Sequence, residues 1–222
     1  DALEALWLSL KTSLAALAII VVVGTPAAYM LATREFRGRS VVMTLIELPL
    51  VLPPAVAGIA LLACFGPEGL FGSALEDAGI ALVLQTAGVI VALTFVAAPF
   101  YLRQAQEAFA AVDRNLLDAA RTLGASEAGA FARVAVPCAG QGITAGMALA
   151  WGRALGEFGA TLMFAGSFPG ITQTVPLAIF ARFSTDFTAA LALSAALVIV
   201  SAALLLSVKL LGRSPLLGGG RA

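Results

Sequence analysis

Residues 113–137 read "DRNLLDAARTLGASEAGAFARVAVP", a stretch in which charges return at short intervals between two very apolar runs. Asp113 is suited to start a helix, because its carboxylate can accept bonds from exposed backbone N–H groups. Leu116, Ala120 and Leu123 then fall at i, i+4 and i+7, which places them on one apolar stripe. The first half of the stretch therefore predicts a short amphipathic helix whose stripe requires a partner.

A turn and a second helix follow in the same stretch. Gly124 suits the left-handed position at which many helices end. Ser126 can cap the next helix, and Pro137 fits the first turn of the apolar run behind it. We call residues 113–137 the elbow. The residues alone leave open whether its apolar stripe lies on lipid headgroups or docks against another protein.

The chain around the elbow has the composition of a membrane protein. Of its 222 residues, 60% are hydrophobic and 12% are charged, whereas a soluble domain carries about 25% charge. This balance predicts an all-α polytopic membrane protein. The formal net charge of zero gives no indication of nucleic-acid binding, and two cysteines without any histidine form no metal-site pattern.

Five apolar runs are long enough to cross a bilayer, for which about 20 residues are needed. These predicted spans are residues 12–33, 42–65, 80–102, 138–158 and 188–211. Residues 159–187 are broken by glycine and proline, so we expect an external loop with a short re-entrant helix there rather than a sixth span. Residues 1–213 are then one transmembrane domain, and the glycine-rich residues 214–222 are expected to form a flexible tail.

The basic residues predict the orientation, because Lys and Arg accumulate on the cytoplasmic side of membrane proteins. Most of them lie in the link after the first span, in the link after the third span or in the tail: Arg34, Arg37, Arg39, Arg103, Arg114, Arg121, Arg133, Lys209, Arg213 and Arg221. With five spans all three regions fall on one side. The N-terminus is therefore predicted outside, and the C-terminus and the elbow are predicted in the cytoplasm.

The elbow also resembles a motif of the inner-membrane permeases of ATP-binding-cassette importers. Their pattern is E-A-A, three residues, Gly, nine residues, Ile, any residue, Leu, Pro. The corresponding positions of this chain hold Asp118, Ala119, Ala120, Gly124, Val134, Val136 and Pro137. The spacing matches at every step, and the three departures are conservative.

The resemblance implies that the elbow is the coupling helix, which docks into a cleft of a cytoplasmic ATPase. The residues expected to carry this coupling are Leu116, Asp118, Ala119, Ala120, Leu123, Gly124 and Pro137. The shorter acid at the first motif position leaves the docking expectation in place and alters only its specific contact.

Three further stretches resemble the molybdate permeases of that family, namely 47–62 "ELPLVLPPAVAGIALL", 118–126 "DAARTLGAS" and 153–180 "RALGEFGATLMFAGSFPGITQTVPLAIF". Tungstate permeases are close relatives, and sulfate permeases share the "RALGEFGA" portion. The resemblance implies a homodimer in the lipid of the inner membrane, two cytoplasmic ATPase subunits that bind ATP-Mg, and an external oxyanion-binding protein. A sulfate or thiosulfate permease and an ion-gradient-driven secondary transporter are the alternatives.

Two groups inside the predicted spans are candidates for the pathway or its gate. Arg153 and Glu157 lie at i and i+4, and because charges inside a span are costly we expect them to pair or to face protein. Pro53 and Pro54 interrupt helix hydrogen bonding in the second span, which is compatible with a static kink or a hinge.

The loop after the fourth span offers a third group. Thr172, Gln173 and Thr174 have hydroxyl and amide donors that an oxyanion would accept, and they are equally suited to cap a short helix or to contact the binding protein. No G-x-x-x-x-G-K-[ST] phosphate loop and no paired catalytic groups occur in the chain. We therefore expect no catalytic residue and no bound cofactor, with ATP hydrolysis left to the partner subunit.

Overall fold

The computed structural model of the protein describes residues 2–212, with side chains through residue 208, and over this range it contains helices and no strand. In chain order the helices α1 to α11 are Ala2–Thr33, Arg39–Val51, Pro54–Phe65, Gly72–Asp77, Thr86–Ala110, Arg114–Thr122, Glu127–Cys138, Gly140–Leu155, Gly159–Ala165, Val175–Phe183 and Phe187–Gly212. The predicted all-α class is confirmed for the described residues. The predicted tail, 214–222, lies outside them.

Three of these helices are long and apolar enough to cross a membrane, namely α1, α5 and α11. They cover most of the predicted spans 12–33, 80–102 and 188–211, although α5 begins at Thr86 and continues to Ala110. Helices α7 and α8 pass the same test only as a pair, and they are bent by 74° at the break between them. Residues 2–212 therefore contain three such helices, or four if the bent pair is one span.

The second predicted span, 42–65, is not one continuous helix. It divides into α2 and α3 because Leu52 and Pro53 are both extended, with ψ of 135° and 136°. A residue before proline is driven away from the helical region, and neither Pro53 nor Pro54 can donate a backbone hydrogen bond. Helix α3 begins anew with Pro54 in its first turn and contains 12 residues.

The region expected to hold one re-entrant helix contains two short helices, α9 and α10. Helix α9 packs against α3 at glycine contacts that leave no room for a side chain. A Cβ atom at Gly58 would lie 2.6 Å from the Cβ of Met163, and one at Gly159 would lie 2.7 Å from the Cβ of Pro54. Because small residues let helices approach closely, α3 and α9 pack as a unit.

The centre of the molecule is the mutual packing of α1, α5 and α8. Tyr101 of α5 is fully buried, and its hydroxyl lies 2.5 Å from the hydroxyl of Thr25 in α1. Trp151 of α8 donates its ring N–H to the hydroxyl of Ser13 at 3.1 Å. These bonds satisfy polar groups inside an apolar core, which fixes the three helices relative to one another.

Candidate functional site

The first helix of the elbow, α6, starts as its sequence predicts. The Asp113 carboxylate accepts a bond from the backbone N–H of Asn115 at 2.9 Å. Leu117, which the predicted stripe did not include, is 5% exposed and packs into the core beside the half-buried Ala120. Leu116 and Leu123 of the stripe are 48% and 89% exposed. The i, i+3 spacing of Leu117 and Ala120 was the sequence signal for the face that packs inside the chain.

The turn after α6 also forms as predicted. Gly124 has φ of 88°, in the left-handed region, and nothing lies within 4 Å of the position its Cβ would take. The backbone N–H of Ala125 bonds the carbonyl of Ala120 at 3.0 Å, which closes the end of α6. The Ser126 hydroxyl then accepts a bond from the backbone N–H of Gly129 at 3.2 Å and caps α7.

Arg121 connects the two elbow helices, a contact that the sequence analysis missed. Its Nε and Nη2 atoms donate to the two carboxylate oxygens of Glu127 at 2.8 and 3.0 Å. Its Nη1 atom donates to the carboxylate of Asp118 at 2.7 Å. The hydrogen bonds from Arg121 lower the pKa of Glu127, and the positive charges of Arg121 and Arg34 add to this effect against a smaller influence of burial.

Helix α7 attaches the elbow to the long helices through an aromatic cluster. The ring of Phe131 lies 4.9 Å from that of Tyr29 in α1 and 6.1 Å from that of Phe109 in α5, between ring centroids. Tyr29 and Phe109 themselves meet edge to face at 5.4 Å. Such pairs add to the stabilisation from burial alone. The cluster therefore joins α7 directly to α1 and α5.

The sequence predicted Pro137 in the first turn of α8. In the structure it lies at the end of α7 instead. Residues 131–135 form a wider π-helical turn, in which Val136 donates to the carbonyl of Phe131. Proline has no N–H with which to continue this pattern, and α7 ends at Cys138, before the 74° bend. Pro137 thus marks the joint between the elbow and α8.

Arg153 and Glu157 form the predicted ion pair, with Nη2 and Oε2 2.6 Å apart. The Glu157 side chain is 1% exposed, and its other carboxylate oxygen accepts a bond from the backbone N–H of Ala160 at 2.9 Å. The carboxylate thus bridges the break between α8 and α9. Since Gly159 touches Pro54, the ion pair and the proline break are brought close together.

Two of the three loop candidates bond to their own loop. The Thr172 hydroxyl accepts a bond from the backbone N–H of Phe168 at 2.9 Å, and the Gln173 amide donates to Ser167 at 3.2 Å. Thr174 is the residue before α10 and is 3% exposed, and its side chain makes no capping bond. Among residues 2–212, no group of three or more acidic, cysteine or histidine side chains is placed to hold a metal ion.

The family described as "Binding-protein-dependent transport system inner membrane component" matches residues 11–214. The molybdenum transport system permease protein ModB of Mycobacterium tuberculosis is 46% identical over 192 residues, covering 86% of this chain and 72% of that protein. ModB of Escherichia coli (strain K12) is 37% identical over 183 residues, covering 82% of this chain and 80% of that protein. The probable transport system permease protein NifC of Clostridium pasteurianum is 38% identical over 195 residues, covering 87% of this chain and 68% of that protein.

Solved structures of similar fold come from ABC transporters. A chain of a bacterial ABC transporter involved in the import of the acidic polysaccharide alginate superposes with a TM-score of 0.76 and 18% identity, covering 95% of this chain and 78% of that one. A chain of the inward-facing MetNI methionine ABC transporter superposes with a TM-score of 0.70 and 17% identity, covering 99% and 96%. At these identities the likeness concerns the fold alone. The family match and the curated relatives show that this chain belongs to the inner-membrane components of binding-protein-dependent transport systems and is a multi-pass permease of the inner membrane.

Proposed function

We propose that this permease forms the translocation pathway of an ATP-binding-cassette importer for molybdate or tungstate. The observation that carries the substrate is the 46% identity, over 86% of the chain, to a relative named a molybdenum transport permease. The alternative anion is sulfate or thiosulfate. A secondary transporter driven by an ion gradient is less favoured, because it would not require a docking elbow.

We propose five membrane crossings. Helices α1, α5 and α11 supply the first, third and fifth, the broken pair α2 and α3 supplies the second, and α8 supplies the fourth. The basic residues of the links support an N-terminus outside and an elbow and C-terminus in the cytoplasm. Residues 1–213 then act as one transmembrane permease domain, surrounded by lipid, with the elbow projecting from it.

The elbow is the proposed docking site for the ATPase. Leu116 and Leu123 are exposed on a short helix that is fixed to the rest of the chain, so they are available to enter an apolar cleft. Asp118, Ala119 and Ala120 belong to the same helix. Gly124 shapes its end, and Pro137 marks the far joint.

Two copies of the permease, two ATPase subunits and an external oxyanion-binding protein would make up the importer. ATP-Mg binds the ATPase pair and closes it, which draws the two elbows together. Helix α7 passes this movement to α1 and α5 through the Phe131 cluster, and the helices rock to open the pathway outward. The binding protein then delivers its anion.

The pathway is proposed to contain no strong binding site for the anion. Arg153 and Glu157 are paired and together neutral, so they would not trap a divalent oxyanion. The break at Pro53 and Pro54 packs on α9, which makes this contact the candidate gate. Thr172 and Gln173 stabilise the outer loop, and Thr174 lies buried at its end. Selectivity would then lie mainly in the binding protein.

The substrate is tested by the anion that stimulates ATP hydrolysis. The permease, its ATPase and its binding protein are reconstituted in vesicles, and ATP hydrolysis is measured with molybdate, tungstate or sulfate. We expect stimulation by molybdate or tungstate, and only when the binding protein is present. Stimulation by sulfate alone would move the assignment to the sulfate permeases, and stimulation without the binding protein would contradict the proposed importer.

A further inference from the structure

We propose that Arg121 and Glu127 act as positioning residues that clamp α6 to α7, so that movement of the docking helix reaches the membrane helices without loss. This inference rests on the proposed docking of an ATPase at the elbow. The contact between Arg121 and Glu127 would transmit movement, whereas the apolar Leu116 and Leu123 would bind the ATPase.

The clamp has the geometry in which exposed ion pairs are effective. An isolated ion pair on a surface usually stabilises little, because water screens it and two side chains lose their freedom. Here the guanidinium makes two parallel bonds to Glu127, at 2.8 and 3.0 Å, and a third bond to Asp118 at 2.7 Å. Planar two-point pairing and a shared network are the exceptions to the weak average.

The clamp also changes the expected role of Asp118. This residue occupies the acidic position of the E-A-A pattern, and its carboxylate is already bonded to Arg121 within the elbow. Asp118 therefore helps to fix the direction of the Arg121 guanidinium. The apolar side chains of Leu116 and Leu123 remain as the exposed groups available to a partner.

The rest of the elbow explains why a clamp is needed. The turn at Gly124 is open, with nothing packed where its Cβ would lie, and Leu117 is the one buried side chain of α6. Helix α7 is anchored more firmly, because Ala130 and Ala135 are fully buried and Phe131 joins the aromatic cluster. A force applied to α6 would bend the open turn unless a second contact held the two helices together.

The functional test compares molybdate molecules transported per ATP hydrolysed, in vesicles that contain the complete complex. The variants are Glu127→Gln, Arg121→Lys and the two combined. Loss of an exposed charge pair shifts the equilibrium between clamped and unclamped elbows by at most about fivefold. We expect each single change to lower the ratio by a similar factor, roughly two- to fivefold. Lysine retains the charge and loses the planar pairing. The combined variant should be no worse than the lower single variant, because both changes break the same contact.

The matched control is Glu107→Gln, which neutralises an exposed carboxylate near the end of α5 that forms no ion pair within the described part of the chain. It should retain the wild-type ratio. The ATPase should still co-purify with every variant, because Leu116 and Leu123 are unchanged. A wild-type ratio in Glu127→Gln, or additive losses in the combined variant, would overturn the clamp.

A second measurement tests the clamp without any transport. Spin labels at Asn115→Cys and Ala128→Cys, in a chain with Cys64→Ala and Cys138→Ala, report the distance between α6 and α7 by electron paramagnetic resonance. We expect a narrow distribution that broadens with Glu127→Gln and stays narrow with Glu107→Gln. Equal widths would overturn the clamp. A wild-type complex that transports neither molybdate nor tungstate would overturn the proposed function alone, since the label distances would still decide on the clamp.

Discussion

Leu123→Asp is the change that most selectively tests docking at the elbow. The Leu123 side chain is 89% exposed in the isolated chain, so a charge there should alter folding stability by less than about 0.5 kcal/mol. If the side chain enters an apolar cleft, the change forfeits the burial of a leucine, about 1.5–3 kcal/mol. That loss corresponds to roughly 10- to 150-fold weaker binding of the ATPase at each elbow.

The assay is co-purification of the ATPase subunit with the tagged permease in detergent, at matched permease yield. Leu70→Asp is the control, because Leu70 is 81% exposed in the link between α3 and α4, which we propose faces outward. It should retain the ATPase. If Leu123→Asp binds the ATPase at the wild-type yield, the docking assignment of the elbow is wrong.

Three further changes test other parts of the account. Gly124→Val should strain the left-handed turn by about 1–3 kcal/mol and reduce ATPase co-purification, while the amount of permease inserted in the membrane stays unchanged. Glu157→Ala should lower the unfolding free energy by about 1–3 kcal/mol in thermal denaturation, because it removes the carboxylate from Arg153 and from a backbone N–H, and Arg153→Met/Glu157→Leu should recover part of that loss. The pKa of Glu127 lies below its ordinary value of 4.5, so its bond to Arg121 should persist above that pH and be lost as the pH falls through the lowered pKa. The distribution of label distances should therefore be unchanged between about pH 6 and 8, and it should broaden only in acid.

The local features of the elbow could be predicted from the sequence because their causes are local. Asp113 and Ser126 cap helices through bonds to backbone atoms two or three residues away. Gly124 adopts a conformation that other residues avoid. The burial of Leu117 was missed, since this side chain is covered by elements distant in sequence and helical periodicity alone does not say which stripe meets them.

The contacts that depend on tertiary geometry could not be read from the sequence. Arg121 reaches Glu127 because the turn folds α7 back beside α6, a relation that sequence spacing does not contain. The second predicted span failed as a single helix for a different reason. Hydropathy measures how apolar 42–65 is, whereas the break at Pro53 comes from a missing N–H and a restricted backbone.

We propose that ATP hydrolysis on a partner subunit drives an anion through this permease. This is tested by molybdate uptake into vesicles that contain the permease, its ATPase and its binding protein, with ATP supplied on the ATPase side. We expect uptake that requires both ATP and the binding protein. Uptake driven by an imposed ion gradient in the absence of ATP would contradict it.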